Sequence, residues 1–230
     1  NKLSLLDVAF FIAESEASPK HVGGLMICKR PARSKTSFAV DLYREFLTFT
    51  DVQAPFNRLI HFSLTAMPTW RDCESVDLQQ HVFYHKLPRG KNGRPELYRL
   101  VADLHQPMLD RSRPLWEMHV IDGLSEGRFA VYVKTHHASA DGVTMMRWAV
   151  DSLSPRADDL ELKPIWSIRH ALGHRSEKRL NEKMAQSLLA NLAGAGKRVL
   201  GIGRLSAMLL LESIKLTKNA ISLPFVADGN

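Results

Sequence analysis

The chain has 230 residues, of which 45% are apolar and 24% are charged. This mixture is typical of a globular protein and excludes disordered, collagen-like and disulfide-stabilised classes. The formal net charge is +7, and the whole excess lies between Ile165 and Ala220, which contains ten basic and three acidic side chains.

The N-terminal part of the chain alternates between helical and extended patterns. Apolar residues spaced three or four apart predict helices, and β-forming runs bounded by proline or glycine predict strands. The predicted elements are a helix over Leu3–Ala13 with Ser4 as its N-cap, a strand over Val22–Cys28, a helix over Ser37–Phe49, an extended run over Leu59–Leu64, a strand over His81–Leu87 and a helix over Pro95–Leu104.

The clearest local pattern is a β-hairpin in the middle of the chain. Trp116–Ile121 alternates between apolar and polar residues, and Phe129–Lys134 is rich in β-forming residues. The segment between them, Asp122–Gly127, consists of turn-forming residues. A helix is predicted to follow over Val143–Leu153. This order predicts an α/β (α+β) fold in which helices flank a mixed β-sheet.

Two prolines, Pro155 and Pro164, bracket an acidic spacer. We predict a domain boundary there, with a first domain over residues 1–160 and a second segment over residues 161–230. The second segment is basic, and its helices are predicted from two apolar patterns, Ser176–Ala193 and Leu205–Leu216.

The cysteines and the N-terminus indicate a cytoplasmic protein. Cys28 and Cys73 lie far apart and form no CxxC pair, so reduced thiols are expected. The N-terminal stretch lacks the charged, apolar and small-residue segments of a signal peptide. The longest strongly apolar run, Leu205–Leu211, is far shorter than the ~18 residues that a membrane-spanning helix needs.

The residues best suited to chemistry follow the second hairpin strand. His136 and His137 should point to opposite faces, because side chains alternate along a strand. A neutral imidazole can accept a proton near neutral pH. Asp141 can bend back to hold the backbone or an arginine, and Gly142 permits a tight turn into the helix. Paired histidines can also be structural, but their place between a strand and a helix favours catalysis.

The segment HHASADG, residues 136–142, matches the HHxxxDG signature of CoA-dependent acyltransferases. Leu3–Phe11 and the HVGG of residues 21–24 resemble the N-terminal motif of bacterial wax ester synthase/diacylglycerol acyltransferases. Pro55–Arg58 resembles their PF segment, and the PLW of residues 114–116 matches another of their motifs. The chain is similar to this family over essentially its whole length.

This resemblance implies a chloramphenicol-acetyltransferase-like domain that transfers an acyl group directly, without a cofactor or a metal. His137 is expected to be the general base. It would take the proton from the hydroxyl of a fatty alcohol or diacylglycerol, and the oxygen would attack the thioester of a fatty acyl-CoA. His136 is expected to support or line the site. The resemblance also implies that Asp141 pairs with an arginine and shapes the loop.

The PLW segment, Pro114, Leu115 and Trp116, has two interpretations. Proline can begin a strand, and leucine and tryptophan commonly fill a core, so core packing is favoured. The alternative is that these residues line the acyl channel.

Members of this family are typically about twice as long as the chain and contain two similar domains. The resemblance therefore implies an N-terminal half followed by a helical interdomain linker, with the C-terminal half of the same protein as its partner. The basic segment is expected to form a solvated helical face, to contact a peripheral membrane or lipid-droplet surface, or to attract the phosphates of CoA. Nucleic acid is not expected as a partner, because the basic residues are not interleaved with aromatic ones.

Two other functions remain open from the sequence. A condensation-type or polyketide-associated acyltransferase would share HHxxxDG but take its acyl group from a carrier protein, although PLW and HVGG argue against it. The other open function is that of a non-catalytic lipid-surface module. A metal site is not expected, because two histidine pairs have i, i+4 spacing but no third ligand nearby: His81 with His85, and His170 with His174.

Overall fold

The computed structural model describes residues 3–63, 67–88, 93–156, 159 and 161–170. Helices and strands interleave as the sequence predicts, which confirms the α/β class. The elements in chain order are α1 (Leu5–Ala13), β1 (His21–Lys29), α2 (Phe38–Phe46), β2 (Arg58–His61), β3 (Thr69–Asp72), β4 (Val82–Lys86), α3 (Arg94–His105), β5 (Trp116–Leu124), β6 (Arg128–His136) and α4 (Gly142–Asp151).

Two compact units divide the chain. The unit that contains the main sheet comprises residues 14–60 and 70–172, whereas α1 and residues 61–69 belong to the other unit.

At the start of α1, the Ser4 hydroxyl accepts a hydrogen bond from the Asp7 amide at 3.1 Å, and the Asp7 carboxylate accepts one from the Ser4 amide at 2.9 Å. This reciprocal capping box confirms Ser4 as the N-cap.

The main sheet is mixed, with the strand order β1-β6-β5-β4. The central strand β6 pairs antiparallel with β1 and β5, and β4 pairs parallel with β5. The turn between β5 and β6 is tighter than predicted, because β5 continues to Leu124 and only three residues separate the strands. Glu126 and Gly127 have φ values of 59° and 66°. Positive φ at both central positions is the requirement of a type I′ turn, which matches the twist of the flanking strands.

The two faces of the sheet differ in character. Side chains alternate along β6, so that Phe129, Val131 and Val133 join one apolar cluster with α2 and α4. The opposite face carries Ala130 and Tyr132, which pack with Leu97 of α3. None of the described helices is long and apolar enough to cross a membrane.

The face toward α3 contains a buried polar network. Lys134 is 1% exposed, and its ammonium donates to the carbonyls of Leu104 at 2.8 Å and Pro107 at 3.1 Å. Its Nζ also lies 3.3 Å from a carboxylate oxygen of Glu117. These contacts compensate the charge of the buried lysine, as a low-dielectric interior requires.

A second part of the network explains the histidine of the HVGG segment. The His21 ring nitrogen Nε2 lies 2.5 Å from the carbonyl of His105 at the end of α3, and the His105 ring contacts the Tyr132 hydroxyl at 2.6 Å. Burial lowers the pKa of His21 to about 4. The neutral ring of His21 therefore joins β1 to α3 at neutral pH.

The two glycines of HVGG are not equivalent, which gives a testable expectation. A Cβ added to Gly23 would lie 2.6 Å from the Tyr132 hydroxyl oxygen, whereas one added to Gly24 would meet its nearest atom, in Met145, at 3.6 Å. Gly23→Ala should therefore lower the free energy of unfolding by about 1–3 kcal/mol through overpacking. Gly24→Ala is the matched control and should cost less. Urea unfolding measures both, and equal losses would contradict this account.

Residues beyond the predicted domain boundary pack into the unit that holds the sheet. Trp166 is fully buried, and its indole N–H donates to the carbonyl of Phe49 at 3.0 Å. Its own carbonyl accepts from the Gln53 amide at 2.7 Å. The unit that holds the sheet therefore includes Trp166, and the domain boundary at residue 160 stays a prediction. The predicted linker helices lie outside the described residues.

Candidate active site

His136 is the last residue of β6 and is almost fully buried, with 1% exposure. Its backbone amide donates to the carbonyl of Leu115 at 3.0 Å. Its ring nitrogen Nδ1 accepts a hydrogen bond from the Ala138 amide at 3.0 Å. An imidazole nitrogen that accepts carries no proton, so the neutral ring has its proton on Nε2. That nitrogen lies 3.4 Å from a carboxylate oxygen of Glu14.

Glu14 follows α1 and has a side chain that is only 1% exposed. Its Oε2 accepts from the Arg111 guanidinium at 2.7 Å, and its Oε1 accepts from the Lys20 amide at 3.0 Å. Burial alone would raise the pKa of Glu14. The contacts with His136, Arg111 and the Lys20 amide outweigh burial and lower the pKa to about 2. Glu14 is therefore a carboxylate throughout the neutral range.

His137 lies just beyond the end of β6 and is half-buried. Its amide donates to the carbonyl of Lys20 at 2.9 Å. This hydrogen bond continues the pairing of β6 with β1 by one residue beyond each strand. Burial and the neighbouring His136 lower the pKa of His137, and Asp141 opposes the shift. The His137 ring is therefore neutral at pH 7 and able to accept a proton.

Asp141 is the N-cap of α4. Its backbone is extended, and its carboxylate accepts from the Thr144 amide at 2.7 Å. This contact holds the start of α4 directly after the histidine loop. The arginine partner predicted for Asp141 stays a prediction.

Gly142 begins α4, and the structure corrects the reason predicted for it. Its φ is not positive, so the turn into the helix does not depend on the backbone freedom of glycine. A Cβ added to Gly142 would meet no atom within 4 Å. The space around this residue is therefore open.

The PLW residues lie in the interior of the sheet unit. Trp116 is 2% exposed, its indole N–H donates to the Phe56 carbonyl at 2.8 Å, and its ring stacks on His81 at 4.5 Å. Pro114 and Leu115 are also buried, and the Leu115 carbonyl accepts from the amide of His136. The PLW segment thus holds the strand end that carries the histidines, and Phe56 of the PF segment packs against it.

Glu14 and Arg111 are site residues that sequence reasoning did not identify. A single acidic residue at the end of an apolar helical run is a weak indication of a buried carboxylate. Its partner lies 97 residues away in the chain, so no local spacing joins the two. Among the described residues, no group of three or more histidine, cysteine or acidic side chains could hold a metal ion.

Comparisons with known proteins identify the family of this chain. The profile of the family described as the wax ester synthase/diacylglycerol acyltransferase catalytic domain matches residues 3–228. A Mycobacterium bovis protein named as a diacylglycerol O-acyltransferase is 35% identical over 224 residues, which are 96% of this chain and 47% of that protein. A second M. bovis protein with the same kind of name is 36% identical over 168 residues, which are 72% of this chain and 33% of that protein.

A solved structure has the same fold. The wax ester synthase/diacylglycerol acyltransferase from Marinobacter aquaeolei VT8 has a TM-score of 0.68 and 32% sequence identity, over 84% of this chain and 46% of that one. The chain spans about half the length of these relatives or less. The profile match extends over nearly all of the chain, and the chain belongs to the wax ester synthase/diacylglycerol acyltransferase family.

Proposed function

We propose that this chain supplies the general base of an O-acyltransferase, which moves a fatty acyl group from acyl-CoA to a long-chain alcohol or to diacylglycerol. The observation that carries the proposal is His137. This histidine is half-buried and has a lowered pKa. It lies just beyond the end of β6, where its amide donates to the carbonyl of Lys20. Family membership supports the same substrates, because relatives carry the name diacylglycerol O-acyltransferase.

The proposed reaction is a single transfer. The neutral ring of His137 takes the proton from the acceptor hydroxyl as its oxygen attacks the thioester carbonyl carbon. The carbon–sulfur bond breaks, and the thiolate of CoA receives the proton from the imidazolium. The products are an ester and CoA, and His137 returns to its neutral form. No step requires a covalent acyl-enzyme, a cofactor or a metal.

Other residues of the motif support the base. Asp141 holds the start of α4 through the Thr144 amide, and the open space at Gly142 leaves room for substrate beside the loop. The PLW residues keep the end of β6 in place. In this proposal they act through packing rather than by contact with the acyl chain.

We further propose that the C-terminal half of the protein completes the site. The relatives are about twice as long as this chain. α4 and the residues just after it, which follow the motif directly, expose four apolar side chains by 58–66%: Val143, Met146, Val150 and Leu153. Such exposed apolar side chains are typical of a surface that another element covers. A cytoplasmic location, with peripheral contact at a membrane or lipid-droplet surface through the basic segment, remains part of the same proposal.

Acceptor-dependent release of thiol tests the proposed activity. The full polypeptide is incubated with palmitoyl-CoA and with hexadecanol or dipalmitoylglycerol, and both the free thiol and the ester are measured. We expect one ester for each thiol, and no thiol without an acceptor. An enzyme that accepts palmitoyl groups only from a carrier protein would be of the condensation type. Absence of ester from every donor would indicate a non-catalytic module.

A further inference from the structure

The acid beside the histidine pair takes no part in the proposed proton transfer. Glu14 contacts Arg111, the amide of Lys20 and the ring of His136 from a site that water does not reach. Desolvation of the Glu14 carboxylate offsets much of its attraction to the partly exposed Arg111, so the ion pair contributes little net stability. The contacts of Glu14 with the His136 ring and the Lys20 amide point instead to a role in positioning the two motif histidines.

We infer that Glu14 and Arg111 are positioning residues, which orient the ring of His136 and thereby fix the loop that presents His137. This inference rests on the proposed function, because it assigns these residues a role in the same site. In this inference Glu14 and Arg111 act through the ring of His136 and the backbone of Lys20.

The loop after the histidines depends on His136 in three places. Its ring nitrogen Nδ1 accepts from the Ala138 amide at 3.0 Å, and its carbonyl accepts from the amides of Ser139 and Ala140 at 2.8 and 3.2 Å. If the ring became an imidazolium, Nδ1 would carry a proton and could no longer accept. The first of the three contacts would then be lost, directly after His137.

Arg111 holds the carboxylate oxygen that faces His136. The guanidinium binds Oε2 of Glu14 at 2.7 Å and balances the carboxylate charge. The same oxygen lies 3.4 Å from Nε2 of His136. The pair is therefore arranged to orient the ring of His136.

The same carboxylate also reaches His137 through the main chain. Its Oε1 accepts from the Lys20 amide at 3.0 Å, and the Lys20 carbonyl accepts from the His137 amide at 2.9 Å. Glu14 thus connects to both histidines, to one through its ring and to the other through its backbone. A misplacement of a catalytic group by about 1 Å can reduce a rate by about a hundredfold.

The first test replaces the acid by its neutral isostere. Glu14→Gln should lower kcat by about tenfold or more through misplacement of the base, with KM changed by less than about twofold. Glu16→Gln, at an exposed acid two residues further on, is the matched control and should retain the activity of the original protein. Imidazole ¹⁵N NMR of the labelled full polypeptide gives a second readout, in which Glu14→Gln should shift the His136 signals away from the Nε2–H form.

The second test separates charge from packing. Arg111→Gln removes the guanidinium that holds Oε2 of Glu14, so kcat should fall by about tenfold or more and the His136 NMR signals should shift as in Glu14→Gln. Arg111→Lys restores the charge and should restore part of the rate, even where bidentate binding is lost. Arg113→Gln removes an arginine that contacts Asp110 outside the pair, and serves as the control. A merely structural role would lower stability without shifting the His136 signals in the folded protein.

The outcomes distinguish this inference from the proposed function. If the original protein makes no ester but the NMR signals of His136 respond to Arg111→Gln as expected, the proposed function fails and the positioning role stands. If the protein is active but both the NMR signals and kcat are unchanged in the Glu14 and Arg111 variants, the inference is overturned. If Glu14→Gln does not fold, the comparison of Arg111→Gln with Arg111→Lys decides the question.

Discussion

Replacement of His137 by alanine is expected to lower kcat for acyl transfer by about 10²–10⁴-fold, the usual contribution of a positioned general base. KM for acyl-CoA should change little, because the variant loses a group that acts in proton transfer and not in binding the donor. The side chain is half-buried at the end of β6, so its removal should leave the fold intact. Circular dichroism and thermal unfolding check this point before the rates are compared.

The pH dependence of the rate tests the role of His137 as the base independently. The pKa of His137 lies below the ordinary value for histidine, 6.5, chiefly because of burial. The neutral form is the active one, so kcat/KM should be constant above pH 6.5 and fall as the pH decreases through the lowered pKa. The residual activity of His137→Ala should lack this limb. His61→Ala, at a half-buried histidine on β2, is the control, and an undiminished rate in His137→Ala would exclude His137 as the base.

The second large effect concerns Trp116. Trp116→Ala should lower the free energy of unfolding by about 3–5 kcal/mol, because it opens a cavity in a well-packed core. The ring lies between His81, at 4.5 Å, and Trp166, at 5.3 Å, and it meets Phe56 edge-on at 5.4 Å. Urea or thermal unfolding of the variant measures the loss.

A milder variant distinguishes packing from polar contact at the same position. Trp116→Phe keeps an aromatic ring but removes the N–H that donates to the Phe56 carbonyl at 2.8 Å, and should cost about 1–3 kcal/mol. If Trp116 instead lined the acyl channel, Trp116→Ala would change the preference for acyl-chain length while the unfolding midpoint stayed the same. That result would contradict the packing role.

Local patterns predicted most of the fold. The hairpin strands were recognisable because period-two alternation and turn residues depend only on near neighbours, and the structure extends them to Trp116–Leu124 and Arg128–His136. The strand β3 was not predicted separately, because its four residues, Thr69–Asp72, carry no apolar alternation. The polar face of the sheet was also missed. The sequence alone suggests that Lys134 is exposed. The contacts that bury it, with Glu117 and the end of α3, come from distant parts of the chain.

The candidate site was predictable only in part, for a related reason. The adjacent histidines and the aspartate belong to one short motif, so their spacing carries the information. Glu14 and Arg111 come together only in the folded chain, and neither has a motif of its own. The domain boundary predicted at the prolines stays a prediction, and Trp166, which lies beyond them, packs against α2. The sequence around a hydrophobic residue does not reveal which core it enters.

The register of β1 has a consequence for the order in which the chain can assemble during synthesis. β1 pairs only with β6 in the sheet, with His21 opposite His136, so it has no strand partner until the hairpin has left the ribosome. The contact between Phe49 and Trp166 closes a loop of 117 residues and comes later still. Non-local pairing of this kind slows folding and leaves an unpaired strand edge exposed to other chains.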